Sequence, residues 1–272
     1  MLIERRQIEA WLAEDLGHHD VTNAVPGTTT AQLVAKDDGV VAGIDVASAV
    51  FSVLDAEITV EPAVSDGEQV ATGDVLLTAR GPAKSLLRGE RVVVNAIGHA
   101  CGVATRTHRA VTAAREISES VAIAGTRKTT PGLRRLEKRA IVAGGGDTHR
   151  LDLSHMVMVK DNHIAEMGLE TAIETMRDRA SFTTKIEVEV ESPSDGPRAA
   201  AAGADIVLFD NMTPDDVARG VEKLPANVLS EASGGITIET VPEYAATGVD
   251  VISMGSLTHS ASALDLSFRT GE

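Results

Sequence analysis

The chain has 272 residues, 43% hydrophobic and 24% charged, which suits a soluble globular protein of one large or two modest domains. Its single cysteine, Cys101, excludes an intrachain disulfide framework and a multi-cysteine zinc site, and no apolar run reaches the length of a membrane span. Forty acids against 25 bases leave a net charge of −15, a surface that disfavours nucleic acid and anionic membranes.

Residues 1–13 mix acids and arginines without an apolar signal core, so a cytoplasmic protein is expected. Residues 30–35, 40–43, 56–62 and 74–79 are short β-like runs broken by glycines and turn residues, and predict a small, mostly antiparallel sheet. From 89 to about 117 the apolar residues Val92, Ala96, Ala100, Val103 and Val111 recur every three or four positions, which predicts one long helix. Gly98 and Gly102 weaken that helix slightly or permit close packing of another helix on it.

The second half alternates buried β-runs (121–124, 156–159, 185–190, 205–209, 228–229 and 250–254) with helical stretches (164–179, 195–202, 214–223 and 238–246). Such alternation predicts a parallel sheet. Six units in so short a span favour an incomplete α/β barrel of six to seven strands, with an open doubly wound sheet as the alternative. The expected division is an N-terminal α/β sandwich over 1–105, to which 258–272 returns, and a barrel over 106–257.

Charge is uneven. Residues 125–160 hold eight bases and three acids. Helical salt bridging around 133–140 accounts for Arg135, Glu137 and Lys138, but not for Arg127-Lys128 or His149-Arg150, which sit among turn residues. A clefted cluster of bases implies an anionic ligand. Lysine is scarce, 7 against 18 arginines, and with the acidic excess this points to a high-salt source.

In α/β barrels the active site lies at the C-terminal strand ends. Here those ends read GTRK (125–128), KDNH (160–163), EVEVE (187–191), DN (210–211), EASGG (231–235) and GS (255–256). The glycines of the last two let backbone N–H groups approach a phosphate. Glu189 and Asp210 suit a divalent cation or sugar hydroxyls, and Lys128 and Lys160 suit a polyphosphate. There is no P-loop, dinucleotide fingerprint or G-x-S-x-G elbow, and IVLFDNMT (206–213) lacks the acid pair of the purine and pyrimidine transferases' phosphoribosyl-diphosphate motif.

The segments GTRKTTPGLRRLEKRA (125–140), GGGDTHR (144–150), VKDNHI (159–164), EVEVE (187–191), LFDNM (208–212), EASGGI (231–236) and GVDVISMGSLTHS (248–260) resemble quinolinate phosphoribosyltransferases, as do EDLG (14–17), DVT (20–22), ERVVVN (90–95) and GVAT (102–105). The resemblance runs in order over nearly the whole chain. Two positions depart from it: Gly125 stands where many relatives have aspartate, and Arg139 where an aromatic is frequent.

The resemblance implies that quinolinate and phosphoribosyl diphosphate give nicotinate mononucleotide, carbon dioxide and diphosphate, with magnesium. It places quinolinate on Arg91, Arg127, His149, Arg150 and Lys160. The donor falls on Lys128, Glu189, Asp210, Ser233, Gly234, Gly255 and His259. Glu189 and Asp210 serve magnesium, and Lys128, Lys160, Glu189 and Asp210 form the catalytic set. It implies a homodimer, or a hexamer built from dimers, with Arg91 acting in the partner's site. Three rivals remain: a pyrophosphorylase of the same fold with another substrate, a Schiff-base aldolase using Lys160, and an inactive anion-binding protein.

Overall fold

The computed structural model describes residues 3–271. Met1, Leu2 and Glu272, the extreme ends of the expected first domain and its returning tail, lie outside the described residues. In chain order, α1 (Arg5–Leu16), β1 (Thr28–Ala35), β2 (Gly39–Val40), α2 (Asp45–Leu54), β3 (Thr59–Pro62), β4 (Gln69–Val70) and β5 (Val75–Pro82) lead into the long α3 (Ala83–Arg115). Then follow β6 (Ala122–Ala124), α4 (Arg134–Ala143), β7 (Val157–Val159), α5 (Asp161–Met167), α6 (Leu169–Arg179), β8 (Ile186–Val190), α7 (Asp195–Ala201) and β9 (Ile206–Asp210). The chain closes with α8 (Pro214–Val221), β10 (Leu229–Ser233), α9 (Val241–Ala245), β11 (Val251–Ser253), α10 (Ser256–His259) and β12 (Leu266–Thr270).

Two compact units form. The first comprises Met1–His108, Thr129–Gly145 and Leu257–Glu272, and the second Arg109–Lys128 and Gly146–Ser256. The linear division at 105/106 therefore misses one excursion: residues 129–145 pack with the first unit. The reason is chemical. Leu136, Ala140 and Ile141 of α4 join that unit's apolar core, and the buried Glu137 carboxylate receives His99 Nε2 at 2.9 Å and the Thr130 N–H at 3.0 Å. Arg135 and Glu137 thus find partners outside their own helix, in Glu4 and His99. Arg139 reaches Asp45 at 2.5 Å and Asp66 at 3.5 Å, so these two acids hold the base at that position.

In the first unit an antiparallel sheet runs β12-β1-β5-β3, beside a small β2-β4 pair. The tail strand β12 pairs with β1 from Ala31↔Thr270 to Ala35↔Leu266. α2 lies inside the region read as strands alone; its Val46, Ala47, Val50 and Phe51 are buried one turn apart, a helical stripe. α1 buries Ile8 and Leu12 in the same way. α3 starts earlier than expected, and its glycines admit the backbone of the segment that leads into β12, not a helix. Leu264 donates its N–H to Gly98 O at 2.9 Å, and a Cβ at Gly102 would stand 2.0 Å from Ser262 O.

In the second unit six parallel strands run in the order β6-β11-β10-β9-β8-β7. The first strand pairs with the last, and of the neighbours in a closed ring only β6 and β7 do not pair. This is a barrel opened at one seam, which decides between the two architectures expected. At the β6 edge of the seam Asp147 forms a parallel bridge with Ala124, with N–H to Ile123 O at 2.8 Å and Gly125 N–H to its own carbonyl at 2.9 Å. The strands alternate: Ile186, Val188 and Val190 are buried on one face of β8, while Glu187 and Glu189 share the other. The expected helix 164–179 is two helices, broken at Gly168 (φ 78), and the expected strand 228–229 continues to Ser233 because its polar side chains find partners. Ser230 Oγ bonds Asp250 at 2.7 Å.

Candidate active site

The second unit brings its strand ends together, with most of the expected residues on them. Lys160 follows β7, and its backbone N–H is taken by His163 Nδ1 at 3.0 Å, so His163 shapes the start of α5. Lys160 Nζ bonds the Glu189 carboxylate on the neighbouring β8. Arg150 is buried, 7% exposed, and its Nη2 lies 3.0 Å from Met158 Sδ. Burial, then the charge of Arg127, disfavours the Arg150 cation, while Glu187 and Glu189 favour it. Arg127, Arg150, Glu187 and Glu189 therefore sense one another across the strand ends.

His149 sits with φ 52, its N–H held by Asp147 Oδ1 at 2.6 Å. Its Nε2 faces Glu231 Oε2 at 3.2 Å and Glu187 Oε1 at 3.4 Å. Burial opposes the His149 cation, but the two glutamates outweigh it and hold its pKa up at about 10. Burial pushes the Glu187 carboxyl up, His149 pulls it back, and Glu231 adds to the push. These three residues offer ligand atoms within 4.8 Å of one another and could close around a cation. The histidine already supplies positive charge between the acids.

The acids expected to serve the donor lie on a cavity of about 490 Å³, lined by Asp161, Glu189, Glu191, Asp195, Arg198 and Asp210 among others. Carboxylate oxygens gathered on one cavity wall are the hard donor set that magnesium prefers. Asp210 ends β9 in register with Ser233 on β10. Ser233 Oγ bonds Ser253 O at 3.4 Å, and Gly234 and Gly235 follow with φ 97 and 66, a conformation that favours glycine. Gly255 follows β11, and Lys128 follows β6 with its N–H on Thr126 Oγ1 at 3.0 Å.

Two expected site residues belong to the first unit. Arg91 on α3 is 60% exposed, 3.9 Å from Glu90 Oε1, and His259 is exposed on α10 beside Ser260 Oγ at 2.8 Å.

A family model for the C-terminal domain of quinolinate phosphoribosyl transferase matches residues 103–269, and the N-terminal-domain model matches 20–101. The chain belongs to the quinolinate phosphoribosyltransferase family. A probable nicotinate-nucleotide pyrophosphorylase (carboxylating) of Methanothermobacter thermautotrophicus is 44% identical over 270 residues, 96% of each chain. The human nicotinate-nucleotide pyrophosphorylase (carboxylating) is 41% identical over 268 residues, 96% of this chain and 90% of its own. The solved structure of NadC from Streptococcus pyogenes superposes with a TM-score of 0.93 at 37% identity, covering 99% of this chain and 98% of that one.

Sequence reasoning left two acids out of this cluster: Glu187 and Glu231, the partners of His149. A signal was present. In EVEVE the period of two puts Glu187 on the face of Glu189, and a buried carboxylate needs a cation.

Proposed function

We infer that the protein transfers phosphoribosyl from phosphoribosyl diphosphate to quinolinate with decarboxylation, giving nicotinate mononucleotide, carbon dioxide and diphosphate in NAD biosynthesis. The carrying observation is the set of cations, Arg127, His149, Arg150 and Lys160, gathered at the strand ends of one barrel that also presents Glu189 and Asp210. Quinolinate carries two carboxylates, which guanidinium groups grip as charged, bidentate partners. In this reading Arg127, His149, Arg150 and Lys160 hold the substrate, with Glu187 and Glu231 balancing His149. Lys128, Ser233, Gly234, Gly255 and His259 serve the donor's phosphates.

The ring nitrogen forms its bond to C1 of the ribose as the C1–oxygen bond breaks, and that electron pair leaves with diphosphate. C1 gains positive character on the way, which Glu189 and Asp210 stabilise, while Lys128 and Lys160 stabilise the departing anion. The quaternised ring then accepts the electron pair left when the 2-carboxylate departs as carbon dioxide, and a proton takes that place. Glu189 and Asp210 fit magnesium, which when bound supplies further charge neutralisation at the diphosphate.

A Schiff-base aldolase is disfavoured because Lys160 Nζ is engaged by Glu189 instead of lying in an apolar pocket. The proposal includes a cytoplasmic homodimer, alone or within a hexamer, in which Arg91 completes the partner's site; no helix among the described residues is long and apolar enough to cross a membrane. Incubation with quinolinate, donor and magnesium should yield nicotinate mononucleotide and carbon dioxide. Nicotinate should be a poor substrate, since it lacks the 2-carboxylate that these cations would grip and that the reaction expels. Comparable turnover of nicotinate would overturn the carboxylating reading.

A further inference from the structure

The turn after β9 carries a residue with no role in the chemistry above. Asn211 holds φ 54, and besides His149 no other non-glycine residue among those described has positive φ. Asparagine tolerates this region better than most side chains. Its Nδ2 donates to Asp210 Oδ2 at 2.8 Å. Its side-chain oxygen lies over Gly234, where a Cβ would stand 2.3 Å from Asn211 Oδ1, 2.6 Å from Cγ and 2.9 Å from the backbone nitrogen. The missing side chain at 234 is thus what admits the amide.

The turn is pinned from three further sides. The Asn211 N–H donates to Ser233 O at 2.8 Å. Tyr244 Oη donates to Met212 O at 2.9 Å. Thr213 Oγ1 accepts the Asp216 N–H at 3.3 Å, capping α8. A backbone held this firmly fixes where the Asn211 amide starts, and through its bond to Asp210 the amide orients that carboxylate before any ligand arrives.

We propose that Asn211 is a positioning residue that orients the Asp210 carboxylate for the phosphoribosyl donor, with Gly234 bare to make room for it. The proposal rests on the reading that Asp210 serves the donor. Left-handed backbone alone would be met equally well by glycine; the amide on Asp210 would not.

That difference supplies the test. Donor binding in the presence of magnesium and the absence of quinolinate is measured by calorimetry for the wild type, Asn211→Gly, Asn211→Asp and Asp210→Ala. Asn211→Gly keeps the backbone at ease and removes the amide. It should bind the donor roughly tenfold more weakly, with an unchanged quinolinate KM and a Tm no lower than wild type. Asn211→Asp sets a carboxylate against a carboxylate and should weaken donor binding at least as much; it also covers the case in which the glycine variant fails to fold. Gly234→Ala should cost less donor affinity in the Asn211→Gly background, where no amide is displaced, than in the wild type. Wild-type donor affinity in Asn211→Gly, with Asp210→Ala defective, would confine Asn211 to the turn and overturn the proposal. Wild-type affinity in Asp210→Ala would instead sink the reading of Asp210.

Discussion

At the strand ends burial, and then the Arg127 guanidinium, work against the Arg150 charge, which Glu187 and Glu189 favour. A dianionic substrate relieves that repulsion. Arg127→Ala should therefore weaken quinolinate binding by about ten- to a hundredfold, the worth of one charge-assisted hydrogen bond of about 1.5–3 kcal/mol, and disturb donor binding far less. Separate titrations with the two substrates check this; an unchanged quinolinate affinity would remove Arg127 from the site. Asp20 makes a prediction about acid stability. The Arg88 guanidinium at 3.0 Å, helped by the N–H groups of Thr22 and Asn23, holds its carboxyl at about 2, below the ordinary 3.8. A depressed carboxyl stabilises the fold above its unfolded value and loses that share as pH falls through the folded one. The stability gap between wild type and Asp20→Asn should be constant above about pH 5 and should close between about pH 4 and pH 2. Urea midpoints across that range measure it, and a constant gap down to the lowest pH would contradict the ion pair.

At the scale of elements, α3 and the segment leading into β12 are joined backbone to backbone. Gly102 allows Ser262 O to lie where a Cβ would be, at 2.0 Å, and one turn earlier Gly98 O receives the Leu264 N–H. A neighbouring carbonyl cannot rotate away as a flexible side chain can. Gly102→Ala gains helix propensity of up to about 1 kcal/mol, yet overpacking against main chain should outweigh it and leave a net loss of about 2–3 kcal/mol. Chemical denaturation of the two proteins decides this. A stabilised Gly102→Ala variant would mean that the tail does not clasp the helix.

For the whole molecule, a net charge of −15 surrounds a local excess of bases in residues 125–160, and the two have different consequences. The acidic surface repels itself, and salt screens that repulsion. Stability should rise with KCl in an unfolding series, and full stability in salt-free buffer would count against adaptation to high salt. The proposed dimer has its own test. Arg91→Ala and Asp210→Ala should each be nearly inactive. Unfolded and refolded together, they should assort at random and regain about a quarter of wild-type activity, because half the dimers are mixed and each has one intact site of two. No recovery despite demonstrated subunit exchange would place Arg91 in its own chain's site or outside catalysis.

Much of the fold and site was legible in sequence because it depends on local pattern. Alternating β-runs and helices announced the parallel sheet, and the polar residues ending each run put Lys160, Glu189 and Asp210 at strand ends, where the structure has them. What only the tertiary structure decided depends on distant pairings. α4 packs with the first unit because Glu137 meets His99, 38 positions away. Glu187 and Glu231 bear on the site because strand register and barrel closure bring both to His149. The glycine at 234 matters because it makes room for an amide 23 positions earlier in the chain. Periodicity reports which face a residue lies on; what stands opposite that face is settled by the packing of the strands, to which no single segment holds the key.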